Sequence, residues 1–487
     1  MPSEPTVAQR AALAGICAAG LLSAIAYGLS DPGFGGDSGK YLTVAQNLLQ
    51  NGCISLSPPS SGECLPHWGG NQFPGYPALI ALAALLSGAS GSADPAAFVP
   101  GTIALQSLLL AVASFRTAIA TTRFSGAFRA GLLTAVLVSF SPLHFAWSRW
   151  ILTEAAATAA VLWIFAELLL SLHRRKLSIL PLGLALAFAF FIRYDTLPIC
   201  LAVALAAFML HPPLQALRRG LLIALIMSLP VAGWTARNLA HGLSAMPQAE
   251  YGVGYQRGDG YYAWLATWTR EFYEATLAAY PFAERKYARI SIPQRVFDEP
   301  GGQTARELLA RLAAIDGQAL PAHFDPDFHA LATERRAALP LQVGLINPAL
   351  RAVNLWLSPA YSFGWKLELG TDAQRLVLTK GFEGALTLMQ AKPVAVLGKA
   401  FIASYRYLLT LAILILCGYA IFRPTTARTP LALAMAYCLG KTLFVTLLGQ
   451  ADPRLATQPY AVLEIVLLLY ACDVLRRRVR PAAPGER

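Results

Sequence analysis

Long apolar runs separated by short charged segments dominate this chain. They lie near 11–29, 99–120, 130–147, 154–172, 177–192, 196–211, 220–236, 398–422, 430–448 and 456–475. At about 1.5 Å of rise per residue, such runs cover most or all of a hydrocarbon core about 30 Å thick. The pattern predicts about ten transmembrane helices. One further run, from Pro74 to Leu86, is short for a span and would break the alternation of sides. It is read as a juxtamembrane or re-entrant helix, the alternative being an ordinary span followed by a charge-poor loop.

The polar residues between these runs sort by side. Arg10, Arg123 with Arg129, the cluster His173 to Lys176, Arg218 with Arg219, Arg423 with Arg428 and Arg476 to Arg478 all fall on one side. The excess of Lys and Arg in short loops marks that side as cytoplasmic and places both termini there. Three parts follow: 1–238, a transmembrane module carrying the first and second outer loops; 239–394, an extracytoplasmic domain; and 395–487, the last spans with a basic tail. The first run has no small-residue cleavage site behind it, so it is read as a retained span.

The opposite side collects ionisable residues at span ends: Asp31, Asp37, Lys40, Arg149, Glu154, Arg193, Asp195, Arg237, Asp452 and Arg454. Single charges at span ends are often anchors, whereas several with acids among them suit a polar cavity. Asp37 stands just before the helical stretch Tyr41 to Leu49, where it acts either as a helix cap or as a general base held at the membrane surface. Asp31, next to Pro32, reads as a turn residue.

The 487 residues are 56% hydrophobic and only 14% charged, which excludes an ordinary soluble domain. The net charge of +12 follows membrane sidedness, so no nucleic-acid partner is needed. Five of the seven cysteines lie in apolar runs; Cys53 and Cys64 share the first outer loop, where a disulfide is open but not required by spacing. In the outer domain, Tyr261, Tyr262, Trp264 and Trp268 read as interfacial aromatics in preference to a sugar-stacking face. His323, Asp325, Asp327 and His329 read as a solvated loop in preference to a metal site, so no metal or other cofactor is expected. Residues 373–391 form an amphipathic pattern leading to Pro393. No phosphate-cradling glycine loop, zinc-protease helix or nucleophile elbow is present.

Several spaced motifs resemble one family. They are Asp37-Ser38-Gly39-Lys40-Tyr41 with Ala45 to Leu49 and Asn51-Gly52; Phe73-Pro74-Gly75-Tyr76-Pro77; Ser148-Arg149-Trp150-Ile151-Leu152-Thr153-Glu154; Phe191-Ile192-Arg193-Tyr194; Trp234-Thr235-Ala236-Arg237-Asn238; and Asp452-Pro453-Arg454. Together they look like the polyprenyl-phosphate-sugar-dependent glycosyltransferases of the GT-C fold, in the branch of protein O-mannosyltransferases and lipid A aminoarabinose transferases. Leu455 stands where that pattern usually has tyrosine. The resemblance implies an all-α polytopic membrane protein of the bacterial inner membrane with its active site facing the periplasm. It implies inverting transfer of a sugar from a polyprenyl monophosphate to an acceptor hydroxyl on a glycan, lipid or protein. Asp37 would be the base, with Glu154 assisting, and Lys40, Tyr41, Arg149, Arg193, Arg237 and Arg454 would bind substrate. The rival readings are a transporter or flippase of lipid-linked sugar and a polyprenyl-diphosphate-dependent ligase or polymerase.

Overall fold

A computed structural model describes residues 4–62, 64, 73–242, 258–358, 363–367, 382–422, 425–447, 449 and 452–479. Among these residues the structure is helical, and the one β contact is an isolated parallel bridge between Gly33 and Trp150. Seven helices are long and apolar enough to cross a membrane: Val7–Ser30, Pro95–Ser125, Glu154–Arg174, Pro213–Ala240, Pro393–Ala420, Arg428–Leu447 and Pro453–Arg476. The other three expected spans correspond to shorter apolar helices, α5 (Phe128–Phe140), α7 (Ile179–Ile192) and α8 (Ile199–Leu210). The Pro74–Leu86 run forms α3 (Gly75–Leu86), which at 12 residues is too short to span alone.

The seven long helices contain α1 (Val7–Ser30), α4 (Val99–Ser125), α6 (Glu154–Arg174), α9 (Pro213–Ala240), α17 (Pro393–Phe422), α18 (Arg428–Leu447) and α19 (Thr457–Val479). α6 is the central helix. Its first turns, Ala155-Ala156-Ala157-Thr158-Ala159-Ala160, are small and buried, which lets α4 approach closely where no hydrophobic effect drives association in lipid. α9 is the reverse: Leu214, Leu217, Leu221, Leu225 and Leu229 all face outward at helical spacing. Within the bundle Arg116 of α4 donates to Glu167 of α6 at 2.6 and 2.9 Å, which gives the buried Glu167 carboxylate its counter-ion.

The two ends of the bundle differ. At one, Glu4 pairs with Arg10 (2.8 Å) and Arg123 (3.0 Å), and Arg476 at the end of α19 donates to the Ser125 carbonyl at the end of α4. Arg10, Arg123 and Arg476, three of the basic residues that the sequence put on one side, thus lie at one end. The other end carries α2 (Ser38–Gln50), α3 and a helical cap.

That cap consists of α10 (Asp259–Trp268), α11 (Phe272–Ala283), α12 (Gln294–Phe297), α13 (Gly302–Ala313), α14 (Phe324–Ala338) and α15 (Asn347–Leu357). Its core corrects the aromatic expectation. Tyr261, Trp264 and Trp268 are fully buried, and the Tyr261 ring stacks on Phe282 with centroids 3.8 Å apart, so they pack the domain and meet neither lipid headgroups nor sugar. The His323–His329 stretch is also corrected. It opens α14, where Pro326 falls in the first turn and needs no N–H, and Asp325 accepts from the Gly260 amide at 2.8 Å. Among the described residues no three such groups are placed to hold a metal ion. Residues 382–391 form α16; residues 373–381 of the expected amphipathic helix lie outside the described residues. Cys53 and Cys64 are joined in a disulfide.

Candidate functional site

The site is assembled by interlocking the same segments that carried the motifs. Gly33 donates to the Arg149 carbonyl and accepts from the Ile151 amide, each at 3.0 Å, so the first loop and the Ser148–Glu154 segment run side by side. A Cβ on Gly33 would come within 2.5 Å of the Trp150 ring, which reserves the position for glycine. Ser38 ties the same segments again, accepting from the Gly35 amide (2.9 Å) and donating to the Ile151 carbonyl (2.8 Å). Gln106 of α4 holds the far side, donating to the carbonyls of Ser148 (2.6 Å) and Trp150 (3.0 Å) and accepting from the Tyr76 hydroxyl (3.0 Å). Tyr76 in turn meets Tyr41 edge-on at 5.1 Å. Gly75 presses on the end of α7, since a Cβ there would lie 2.5 Å from the Phe191 carbonyl oxygen, two residues before Arg193.

At the centre lies a chain of buried charges. Arg193 sits just past the C-terminus of α7 and forms a two-pronged contact with Asp195 (2.9 and 3.1 Å). It also donates to Glu154 at 2.7 Å and to the Thr153 hydroxyl at 3.0 Å. Burial disfavours the charged guanidinium, but the Asp195 and Glu154 carboxylates outweigh it and hold Arg193 firmly protonated. Lys441, with no exposed surface in the middle of α18, donates to the Asp195 carboxylate (2.9 Å) and its carbonyl (2.6 Å). Arg454 approaches Glu154 at 3.8 Å and pairs with Asp452. Helices α6, α7 and α18 and the turn Pro453–Ala456 therefore meet through one alternating series of acids and bases.

Asp37 occupies the N-cap position of α2, but its side chain makes no capping hydrogen bond. That corrects the cap reading: the carboxylate pairs with Lys40 at 3.2 Å and is 41% exposed. Tyr41 is buried between this pair and the charge chain. Burial, then the nearby Asp37 carboxylate, pushes the phenol well above its ordinary value, with Glu154 adding and Arg193 and Arg454 opposing. The structure thus gathers Asp37, Lys40, Tyr41, Glu154, Arg193 and Arg454 into one neighbourhood. Tyr280 of α11 reaches it from the cap; burial raises this phenol too, and Arg454, Asp37, Asp452 and Lys40 all lie within its electrostatic reach.

The two remaining candidates stand at its edges. Arg149 pairs with Asp31 at 2.9 Å and lies over the rings of Tyr27 and Trp150, 5.6 and 5.5 Å from their centroids. Lys366 also pairs with Asp31 (2.8 Å), and its hydrogen bond, with the Arg149 charge adding, holds that carboxyl below the ordinary range. Asp31 is accordingly an ion-pair node and not only a turn residue. Arg237, in the last turn of α9, lies over Trp234 at 5.0 Å and donates to the Ile54 carbonyl (3.3 Å) and Asn238 (3.0 Å). It forms no ion pair with any described carboxylate.

Two participants, Lys441 and Tyr280, are not among the residues that the motifs and span ends single out. Lys441 and Glu464 are lone charges inside apolar runs. Glu464 accepts from Ser141 (2.6 Å) and Tyr405 (2.7 Å) in a separate buried cluster beside His144. Tyr280 carried no signal at all, because nothing local marks a tyrosine in a polar domain as facing a site. Comparison of the chain with protein-family models, curated proteins and solved structures finds no match in any of the three. The family likeness therefore rests on the quoted motifs alone.

Proposed function

We propose that this chain is a membrane glycosyltransferase that moves a sugar from a polyprenyl monophosphate to an acceptor hydroxyl, with inversion at the anomeric carbon. The observation that carries the reading is the meeting of a partly exposed carboxylate, Asp37, with Glu154 and several cations at one end of a bundle of apolar helices. A lipid-borne donor and a water-borne acceptor meet only at such a surface. Asp37 takes the acceptor proton as the new bond to the anomeric carbon forms; the bond from that carbon to the phosphate oxygen breaks, and its electron pair leaves with the phosphate. Cations stabilise the departing anion.

The cations divide by their existing partners. Arg193 is committed to Asp195, Glu154 and Thr153, so it orients Glu154 and leaves phosphate binding to others. Arg237, with no carboxylate partner among the described residues, is the better donor-phosphate ligand, and Lys40 and Arg454 border the reacting groups. A charge-assisted hydrogen bond to phosphate contributes about 1.5–3 kcal/mol, so Arg237→Ala should weaken donor binding more than about tenfold. Unchanged binding of the polyprenyl phosphate sugar by that variant would remove Arg237 from the role.

The shorter helices α5, α7 and α8 complete about ten membrane crossings in this reading. The chain sits in a bacterial inner membrane with its basic end in the cytoplasm and its cap in the periplasm. The basic-end clusters and the Cys53–Cys64 disulfide, which requires an oxidising compartment, support that orientation. A cysteine introduced at Glu307 of α13 should react from outside the cell; reaction only after permeabilisation would reverse the orientation. The chemistry needs no metal or other cofactor.

Purified protein incubated with a defined polyprenyl-phosphate sugar and candidate acceptors tests the function directly through acceptor-linked sugar by mass spectrometry. The buried charges Lys441 and Glu464 inside spans favour a second reading, a transporter of lipid-linked sugar, since such residues often mark translocation paths. Movement of donor across liposomes without any transfer product would select that reading. Transfer only from a diphosphate-linked donor would select a ligase or polymerase.

A further inference from the structure

The cap contains one helix whose sidedness is inverted. Residues 340–357 are continuously helical, through a π-helical turn Gln342–Ile346 into α15. Every exposed position from 341 to 357 is apolar or glycine: Leu341, Gly344, Leu345, Ile346, Ala349, Leu350, Val353 and Leu357. The polar residues Asn347 and Arg351 are buried against the protein instead, Arg351 donating to the carbonyls of Ala266, Thr269 (2.9 Å) and Thr446 (2.9 Å). A helix facing water has the opposite arrangement.

Its placement supplies the reason. Arg351 meets Thr446, near the end of α18, while Trp356 donates at 2.9 Å to the hydroxyl of Thr442, one turn earlier in that span. α15 therefore descends beside α18 as its sequence advances, and α18 likewise carries an outward-facing apolar row, Leu439, Leu443 and Leu447. The C-terminal carbonyls, which a helix end in water would leave to solvent, are all answered by protein donors. Arg406 donates to Ser358 (2.6 Å) and Trp356 (2.7 Å), Tyr460 to Trp356 (2.7 Å) and Tyr407 to Leu357 (2.9 Å). That is what a helix terminus removed from water requires.

We infer that residues 341–357 form a half-inserted helix whose apolar face is covered by the acyl chains of the membrane leaflet at the site end of the bundle. The same helix packs on the turn that carries Arg454, so the depth at which it sits sets the height of the charge chain relative to the lipid surface.

Nitroxide labels on Leu345→Cys, Leu350→Cys and Val353→Cys in the full chain, with the five free cysteines replaced, report on this in liposomes. Glu307→Cys on α13 serves as the aqueous reference. Lipid contact predicts accessibility to oxygen well above accessibility to a water-soluble nickel complex at the three sites, and the reverse at 307. It also predicts labelling by a charged maleimide more than about tenfold slower than at 307. Nickel accessibility equal to that of 307 would place the face in water, and low accessibility to both reagents would place it against protein; either overturns the inference. A diazirine amino acid at position 345 or 353 of the otherwise native chain gives an independent reading that does not depend on the cysteine-free background. Adducts bearing acyl chains support lipid cover, and adducts to protein or water alone reject it.

Discussion

Asp37→Asn is expected to retain donor binding while lowering turnover by about a hundredfold or more. The structure sharpens this test, because the Asp37 side chain caps no helix amide and its loss cannot unravel the start of α2. What asparagine does remove is the negative charge facing Lys40, a partly exposed pair at 3.2 Å whose own contribution is within about 1 kcal/mol. Destabilisation of that size shifts a folding midpoint slightly and leaves the chemical step intact. A base is different: without a carboxylate to accept it, the acceptor proton has no destination as the bond forms. The variant should therefore match the parent in thermal midpoint and in donor affinity and fail only in product formation. Near-parental turnover would end the role of Asp37 as base and move attention to Glu154. That residue is buried, however, and already engaged by Arg193 and Arg454.

Lys441→Met should be among the most damaging single changes in the chain although it touches no proposed substrate. It removes one of the two cations that balance Asp195 and leaves a buried carboxylate facing an apolar side chain. Breaking a buried pair from one side costs about 3–5 kcal/mol. Asp195 in turn fixes the two-pronged orientation of Arg193, and Arg193 fixes Glu154, so the disturbance reaches the site along named hydrogen bonds. Asp195→Asn placed on the same chain should recover much of the loss, because the double variant no longer buries an uncompensated charge. Thermal unfolding of both single variants and the pair in detergent measures the coupling. If the two losses simply add, Lys441 and Asp195 do not act as a unit and the chain of charges is only a drawing of neighbours.

Much of the bundle was legible because burial in a bilayer demands what local sequence displays. Long apolar runs and the brevity of the Pro74–Leu86 run each follow from the thickness and polarity of the lipid phase, and each has its counterpart in the helices observed. The candidate residues were legible for a similar reason, since acids and bases at span ends stand out against an apolar background. Their partners were not. Whether Arg193 faces a phosphate or an Asp195 carboxylate two residues away depends on which helices pack beside it, and nothing local states that Lys441 arrives from α18.

The cap shows the limit most clearly. Tyr261, Trp264 and Trp268 have the composition of an interfacial belt, yet they fill a helical core because α11 and α14 fold over them. The apolar positions of 341–357 have the composition of a core, yet they face outward because α18 takes the polar side of that helix. By itself the sequence determined the membrane character of the chain, its sidedness of charge and the set of ionisable groups at the site end, since these depend on the solvent each segment can tolerate. Only the tertiary structure decided which charges neutralise one another, which aromatics are interior and which face of the cap turns outward, because those outcomes depend on contacts between segments far apart in the chain.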